Sequence, residues 1–404
     1  MRYRYILFFI LGIDALILYF KISDLSISYY EASLLYGNLS FLQIIIKSSI
    51  YLFGQNDIAL RIPMISFHIL SAILLYAISE KYIVCKKNRL WIVVIFMLLP
   101  GVISSAIIVN SAGIVIFGLL LFIYLDQKNT NSTNKLFEYL IYSILFIYSL
   151  IDAGFVYLFL SLVIYSIYIK NKKYFLFNIL MAVISIYIYS FDIYGLPKGH
   201  FLDTIGIYAA IFTPIIFIYI FYVLYRRYFT KQIDILWFIS SVTLVLSLFL
   251  SFRQKIELDQ FAPYLIIALP LAAQTFYSSY RVRLRMYRGT YRTLFTISLV
   301  FLIFNSLLVF YNKSLYIILD NPKKHFAYKM HVAKELASVL SNKNITCVKT
   351  KYRMQERLKF YGVTKCNENI LTEYKKGTYE NHNVTISYKD RAVYLANVTK
   401  LNNI

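Results

Sequence analysis

The chain has 404 residues, of which 59% are hydrophobic, 18% aromatic and only 15% charged, a balance that excludes a disordered chain and an ordinary soluble globular domain. Its net charge of +22, from 42 Lys and Arg against 20 Asp and Glu, would suit nucleic acid, yet the cations sit in short loops between apolar runs and in a C-terminal tail. That placement answers to membrane topology and calls for no nucleic acid partner.

About eleven apolar runs of the roughly 20-residue length that crosses bilayer hydrocarbon fill residues 5 to 312. The first, Tyr5 to Phe20, follows Arg2 and Arg4 and lacks a small-residue cleavage site, so a retained span is expected rather than a signal peptide. It carries Asp14, an ionisable residue at membrane depth. The connection over 22–61 is the longest in the membrane region. Within it, Phe41 to Phe53 is strongly apolar but too short to span, with Gln43, Lys47 and Ser48 on a narrower face, and reads as a helix lying in the outer interface. The second span contains His68, whose ordinary use is packing and hydrogen bonding. Further on come a polar linker over 126–135, an irregular connection over 192–206 with Gly195, Pro197 and Gly199, a charged turn over 252–260, and a basic strip over 278–292.

From Asn312 charge density rises and apolar runs shorten. The pattern predicts helices over His325 to Leu340 and Tyr352 to Phe360, and strands over Ile345 to Val348, Val384 to Tyr388 and Ala392 to Val398. The expected fold is therefore an all-α polytopic membrane protein of about eleven spans with a small C-terminal α/β domain. Its divisions are 1–312, including the first outer loop 22–61, and 313–404.

Placing the N-terminus inside leaves nineteen Lys and Arg in inner loops and six in outer ones, namely Lys21, Lys47, Arg61, Lys198, Arg253 and Lys255. An odd number of spans then puts the tail outside. Cys85 falls in an inner loop, where a reduced thiol is expected; Cys347 and Cys366 stand 19 residues apart in the outer tail, where the spacing permits a disulfide without requiring one.

The sequence holds no phosphate loop, no GxGxxG, no metal-binding His/Cys cluster and no nucleophile elbow. Polar groups at the outer membrane face become the candidates. Any single carboxylate there, such as Asp152, Asp192, Asp203, Glu257 or Asp259, is ordinarily just solvated. The concentration of Asp24, Glu31, Lys47, Asp57 and Arg61 in one loop beside an interfacial helix is less ordinary. A carboxylate at the interface can deprotonate an acceptor hydroxyl or hold a divalent metal, and an arginine beside it can grip a lipid phosphate bidentately.

The run Phe53-Gly54-Gln55-Asn56-Asp57-Ile58-Ala59-Leu60-Arg61-Ile62-Pro63 resembles the first outer loop of GT-C glycosyltransferases, closest to glycosyltransferase family 39 and aminoarabinose-transferase-like proteins, with their FG-x-x-x-x-ALR-x-P pattern. Leu99-Pro100-Gly101 is similar to their next landmark, and Arg253-Gln254-Lys255 followed by Ala262-Pro263-Tyr264 and Ala268-Leu269-Pro270 to their late basic-tyrosine-proline segment. Two departures stand out: Tyr30-Glu31 occupies the place of the family's Asp-Glu pair, and Asn110-Ser111-Ala112 the place of a second carboxylate. The resemblance implies transfer of a sugar from a polyprenyl-phosphate donor to an envelope lipid, glycan or protein acceptor on the outer face of a bacterial inner membrane. Glu31 would be the catalytic carboxylate with Asp24 as its substitute, and Glu31 would hold Mg or Mn where a metal is used. Arg61, Lys47, Arg253, Lys255 and Tyr264 would contact the donor. The rival reading is a non-catalytic relative that binds lipid-linked glycan or scaffolds envelope assembly. A transporter ranks third, because matched broken spans in two halves are not evident in the sequence.

Overall fold

The structure is a computed structural model that describes residues 2–131, 135–189, 199–319, 321–374, 383–389 and 391–400. The chain divides into two compact units, the first Met1–Leu16 with Met64–Ser306, the second Ile17–Pro63 with Leu307–Ile404. Loop 22–61 therefore shares a unit with the C-terminal residues, whereas the division expected at 312 grouped it with the membrane region.

The protein is a polytopic membrane protein. Among the described residues, six helices are long and apolar enough to cross a membrane, or up to eight when each of two bent pairs counts as one span. The expected eleven is reached only by adding the shorter apolar helices Leu136–Ile151, Ala153–Tyr168 and Ile235–Ser251. The first spans lie in α1 (Arg2–Asp24) and, after α2 (Tyr29–Tyr36) and α3 (Phe41–Phe53), in α4 (Asp57–Ile78). One bent pair is α5 (Lys86–Leu98) with α6 (Pro100–Ile107), which turn by 64°. Pro100 opens α6 at a position where its missing N–H costs nothing, and a Cβ on Gly101 would overlap the side chain of Ile211. The helices Phe201–Phe212 and Pro214–Phe229 repeat the device with a bend of 105° at Thr213, whose φ is 66°.

In the second unit, Ser28 and Glu31 form a capping box that starts α2. Gln43, on the polar face of α3, donates its amide to the carbonyls of Leu34, Leu35 and Gly37 and so closes the far end of α2. Elsewhere α3 exposes Ile44, Tyr51, Leu52 and Phe53 together with Lys47 and Ser48. Gly54 at φ +80° ends α3, and the Asn56 side chain accepts from Ala59 N at 2.7 Å to start α4. Pro63 cannot bond the Ala59 carbonyl from within α4, and the Ser49 hydroxyl donates to that carbonyl at 2.6 Å instead. The run 53–63 is thus read residue by residue as helix stop, cap and kink.

The C-terminal residues carry a three-stranded antiparallel sheet of order β1-β3-β2, with β1 Asn369–Glu373, β2 Val384–Tyr388 and β3 Arg391–Lys400. Leu336 and Leu340 from the helix Ala333–Asn342 and Leu358 from the helix Tyr352–Phe360 pack with Val384, Ile386 and Ala396 into its core. The helix expected from His325 starts only at Ala333, because residues 325–332 make short turns and Val332 sits in the left-handed region at φ 82°. The strand expected over Ile345 to Val348 is reduced to one isolated bridge, Cys347 with Thr364, with a second just beyond it at Lys349. Cys347 and Cys366 form a disulfide with Cα atoms 5.5 Å apart, and Cys85 is a free, exposed thiol.

Candidate functional site

The polar residues of the first loop form a buried network with the C-terminal residues of the same unit. Arg61 is fully buried, and all five of its N–H groups are spent. Nε donates to Glu31 Oε1 at 2.9 Å and Nη2 to Glu31 Oε2 at 2.8 Å, a two-point fork. The others go to the carbonyls of Ile22, Leu25 and Ser26, which fixes the irregular segment between α1 and α2. Glu31 is likewise fully buried, and its Oε2 also accepts from Ser28 N at 2.8 Å.

Asp57 extends the network. It accepts from the Tyr361 hydroxyl at 2.6 Å and from Lys334 Nζ at 3.0 Å, and lies 4.0 Å from Arg61 Nη1. Burial first, and the neighbouring Asp57 second, push the Tyr361 phenol far above its ordinary value, which suits a hydroxyl that donates to a carboxylate. Arg357 donates from Nε to Ile27 O at 2.7 Å and from Nη2 to Ser26 Oγ and His331 O at 3.2 and 2.6 Å. Its pKa is lowered by burial, against the upward pull of Tyr361, Tyr328 and two carboxylates. Backbone contacts complete the clasp: Ser26 N donates to Met330 O at 3.0 Å and the Gln55 amide to Phe360 O at 2.6 Å.

This geometry corrects several expectations. Arg61 has no N–H left for a phosphate and is not exposed to meet one. Glu31 has both oxygens bonded to Arg61 and is fully buried, so in this structure it anchors the loop. Among the described residues no group of three or more His, Cys, Asp or Glu is placed to hold a metal.

Asp24 is different. Its side chain is 47% exposed at the end of α1, with Lys313 Nζ at 2.7 Å from Oδ1 and Lys21 Nζ at 3.7 Å from Oδ2. Lys313 also reaches Glu335 at 3.5 Å and lies over the Tyr388 ring. Lys21 is itself buried and donates to Asn312 Oδ1 at 3.1 Å. Asp24 with Lys313 is thus an accessible carboxylate and ammonium pair. Lys47 is exposed on α3. Sequence reading missed Lys313, Lys334, Arg357 and Tyr361, because they lie about 250 residues or more from the loop they contact and no motif marks them.

The remaining candidates belong to the other unit. Arg253 and Lys255 are exposed in the turn before the helix Leu258–Ile266. Tyr264, expected to touch the donor, is fully buried and donates its hydroxyl to Gly154 O at 2.6 Å, so it packs the turn at 153–155. Asp192 and Lys198 lie outside the described residues. Asp14 does find a neighbouring helix: its Oδ2 is 2.8 Å from His68 Nε2, and His68 stacks on Phe96.

No family model and no curated protein matches the sequence. Among solved structures, apo ArnT from Cupriavidus metallidurans superposes with a TM-score of 0.59 over 88% of this chain and 84% of its own, at 10% identity. The chain has the fold of ArnT. The structure of ArnT from the same organism bound to undecaprenyl phosphate gives a TM-score of 0.58 at 10% identity, over 97% of this chain and 98% of its own. The likeness covers the membrane helices and the C-terminal residues together and is a likeness of fold.

Proposed function

We propose that the chain is an integral-membrane glycosyltransferase of the GT-C type that takes a sugar from a polyprenyl-phosphate donor. The observation that carries this reading is the superposition on undecaprenyl-phosphate-bound ArnT over 97% of the chain. Within the first loop, Asp24 takes the role of base toward an acceptor hydroxyl, being the exposed carboxylate, while Lys313 and Lys47 offer cations to a phosphate. The acceptor is an envelope lipid, glycan or protein on the outer face, with the N-terminus inside as the cation asymmetry indicates. Full-length protein reconstituted with a labelled polyprenyl-phosphate sugar tests it: Asp24→Asn should lower transfer by about 10² to 10⁴ with donor binding retained. Equal transfer by the variant would remove Asp24 from the mechanism.

A non-catalytic relative that binds lipid-linked glycan is the second reading. It is favoured by the commitment of Glu31, at the family's paired-acid position, to Arg61. Donor binding without transfer to any envelope acceptor decides for it.

A further inference from the structure

At the end of the first unit where α1 begins, Tyr3, Arg4, Tyr76, Glu80, Lys86 and Arg89 line a partly open cavity of about 130 Å³. A water takes about 30 Å³ of liquid, so the space holds roughly four waters or one tetrahedral oxyanion. Its charges are not balanced. Arg89, 7% exposed, spends Nη1 on Glu80 at 3.2 Å and its other nitrogens on the carbonyls of Ile83 and Val84, which rigidifies the turn between α4 and α5. Glu80 is thereby answered. Arg4 and Lys86 make no ion pair among the described residues, and both face this cavity. Nearby, Tyr3, Tyr5 and Trp91 are exposed, the amphipathic aromatics that settle at a membrane surface.

We infer that this cavity binds a phosphate-class anion, and that the anion is the headgroup of an acidic membrane lipid seated between α1, α4 and α5. Two unpaired cations around a concave space of headgroup size supply the attraction. Their position at the terminus of membrane-crossing helices favours a lipid over a free ion, because the acyl chains of a bound lipid run along surface those helices already expose. This site is independent of the transferase reading: Asp24 and Lys313 belong to the other unit.

The test uses full-length protein in phosphatidylcholine nanodiscs containing a minor fraction of phosphatidic acid, with the lipids retained after detergent transfer counted by native mass spectrometry. Each cation held against the bound headgroup contributes about a fivefold preference, the scale of one charge at an anionic surface. The double variant Arg4→Gln/Lys86→Gln should therefore lose more than about tenfold in phosphatidic acid retention. Glu80→Gln should move retention the other way, by removing the one carboxylate at the rim. Arg281→Gln/Arg285→Gln, on the basic strip elsewhere in the same unit, is the control and should change retention little. Inorganic phosphate added as competitor separates the sources: displacement at millimolar concentration means that a free phosphate fills the site, and retention against it means a lipid headgroup. Equal retention by wild type and the double variant, or an equal loss in the control, overturns the inference.

Discussion

The two units hold their polar groups by different physics. In the first, buried hydroxyls mostly turn back on their own helix: Ser79 to Leu75, Ser161 to Tyr157, Ser166 to Leu162, Ser240 to Leu236 and Thr275 to Leu271, each donating to a carbonyl four residues earlier. In the second, buried charges tie together segments far apart in sequence, Arg61 to Glu31 and Arg357 to Ile27. The difference teaches where specificity resides. A helix in lipid satisfies its polar groups alone, whereas the loop 22–61 has no regular ladder to satisfy it and borrows guanidinium donors from elsewhere. Removing one partner should therefore be costly in the second unit and mild in the first.

Arg61 gives the largest expected effect. Arg61→Met leaves the buried Glu31 carboxylate without its guanidinium and strips three carbonyls of their Arg61 donor, at a cost of about 3–5 kcal/mol. Hydrogen exchange should show protection lost over 22–61 and 330–361, with the helices of the first unit little changed. The double variant Glu31→Leu/Arg61→Met should recover only part of this, since the carbonyls of Ile22, Leu25 and Ser26 stay unpaired. Full recovery would mean that those carbonyls find water at no cost, and the contrast drawn between the units would be too strong.

Next comes the disulfide. Its 19-residue separation makes Cys347→Ser/Cys366→Ser cost about 3 kcal/mol of local stability, by the loop-entropy scale. Proteolysis of the purified chain with and without reductant should confine the change to residues beyond 310, and an unchanged cleavage rate would count against a stabilising role.

His331 sharpens the comparison by pH. Burial and the surrounding cations Lys313, His325, Lys21 and Arg357 lower its pKa from 6.5 to about 3. The unfolded chain therefore takes up a proton below 6.5 that the folded chain refuses until about 3. Stability from this residue is complete above 6.5 and falls as pH drops through that window, by about 2 kcal/mol at pH 5. Denaturant titrations at pH 7.5 and pH 5 should show the loss in the second unit, and His331→Gln should remove most of the pH dependence. An equal dependence in the variant would assign it to other groups.

Much of the fold was legible in the sequence because it rests on local pattern. The helices at Phe41–Phe53 and Tyr352–Phe360 and the strand at Val384–Tyr388 fall where periodicity puts them. The short strand Asn369–Glu373 was not foreseen: five residues with little alternation take their structure from pairing with β3. The site was less legible for the same reason. An arginine beside carboxylates in an outer loop reads as a phosphate ligand when its contacts are unknown, yet three of the five donors of Arg61 go to backbone carbonyls, which leave no mark on a sequence. Asp24 carried no stronger signal than Glu31, and exposure alone separates them.

The smallest expected effect tests the other side of the comparison. Ser161 is fully buried in the first unit, donates to its own helix at Tyr157 O at 2.7 Å, and lies 3.2 Å from Thr243 Oγ1 on the helix Ile235–Ser251. Between membrane helices such side-chain bonds average about 0.6 kcal/mol, because the separated helices also find partners. Ser161→Ala should then cost about that much. A double-mutant cycle with Thr243→Val, read by unfolding in mixed detergent, should return a coupling of the same small size. The reason is that neither hydroxyl is stranded by the loss of the other: Ser161 keeps Tyr157 O, and Thr243 sits in a helix whose own carbonyls are within reach of its rotamers. A coupling above about 2 kcal/mol would show that contacts between distant segments carry as much weight in the first unit as in the second, and the contrast between them would fall.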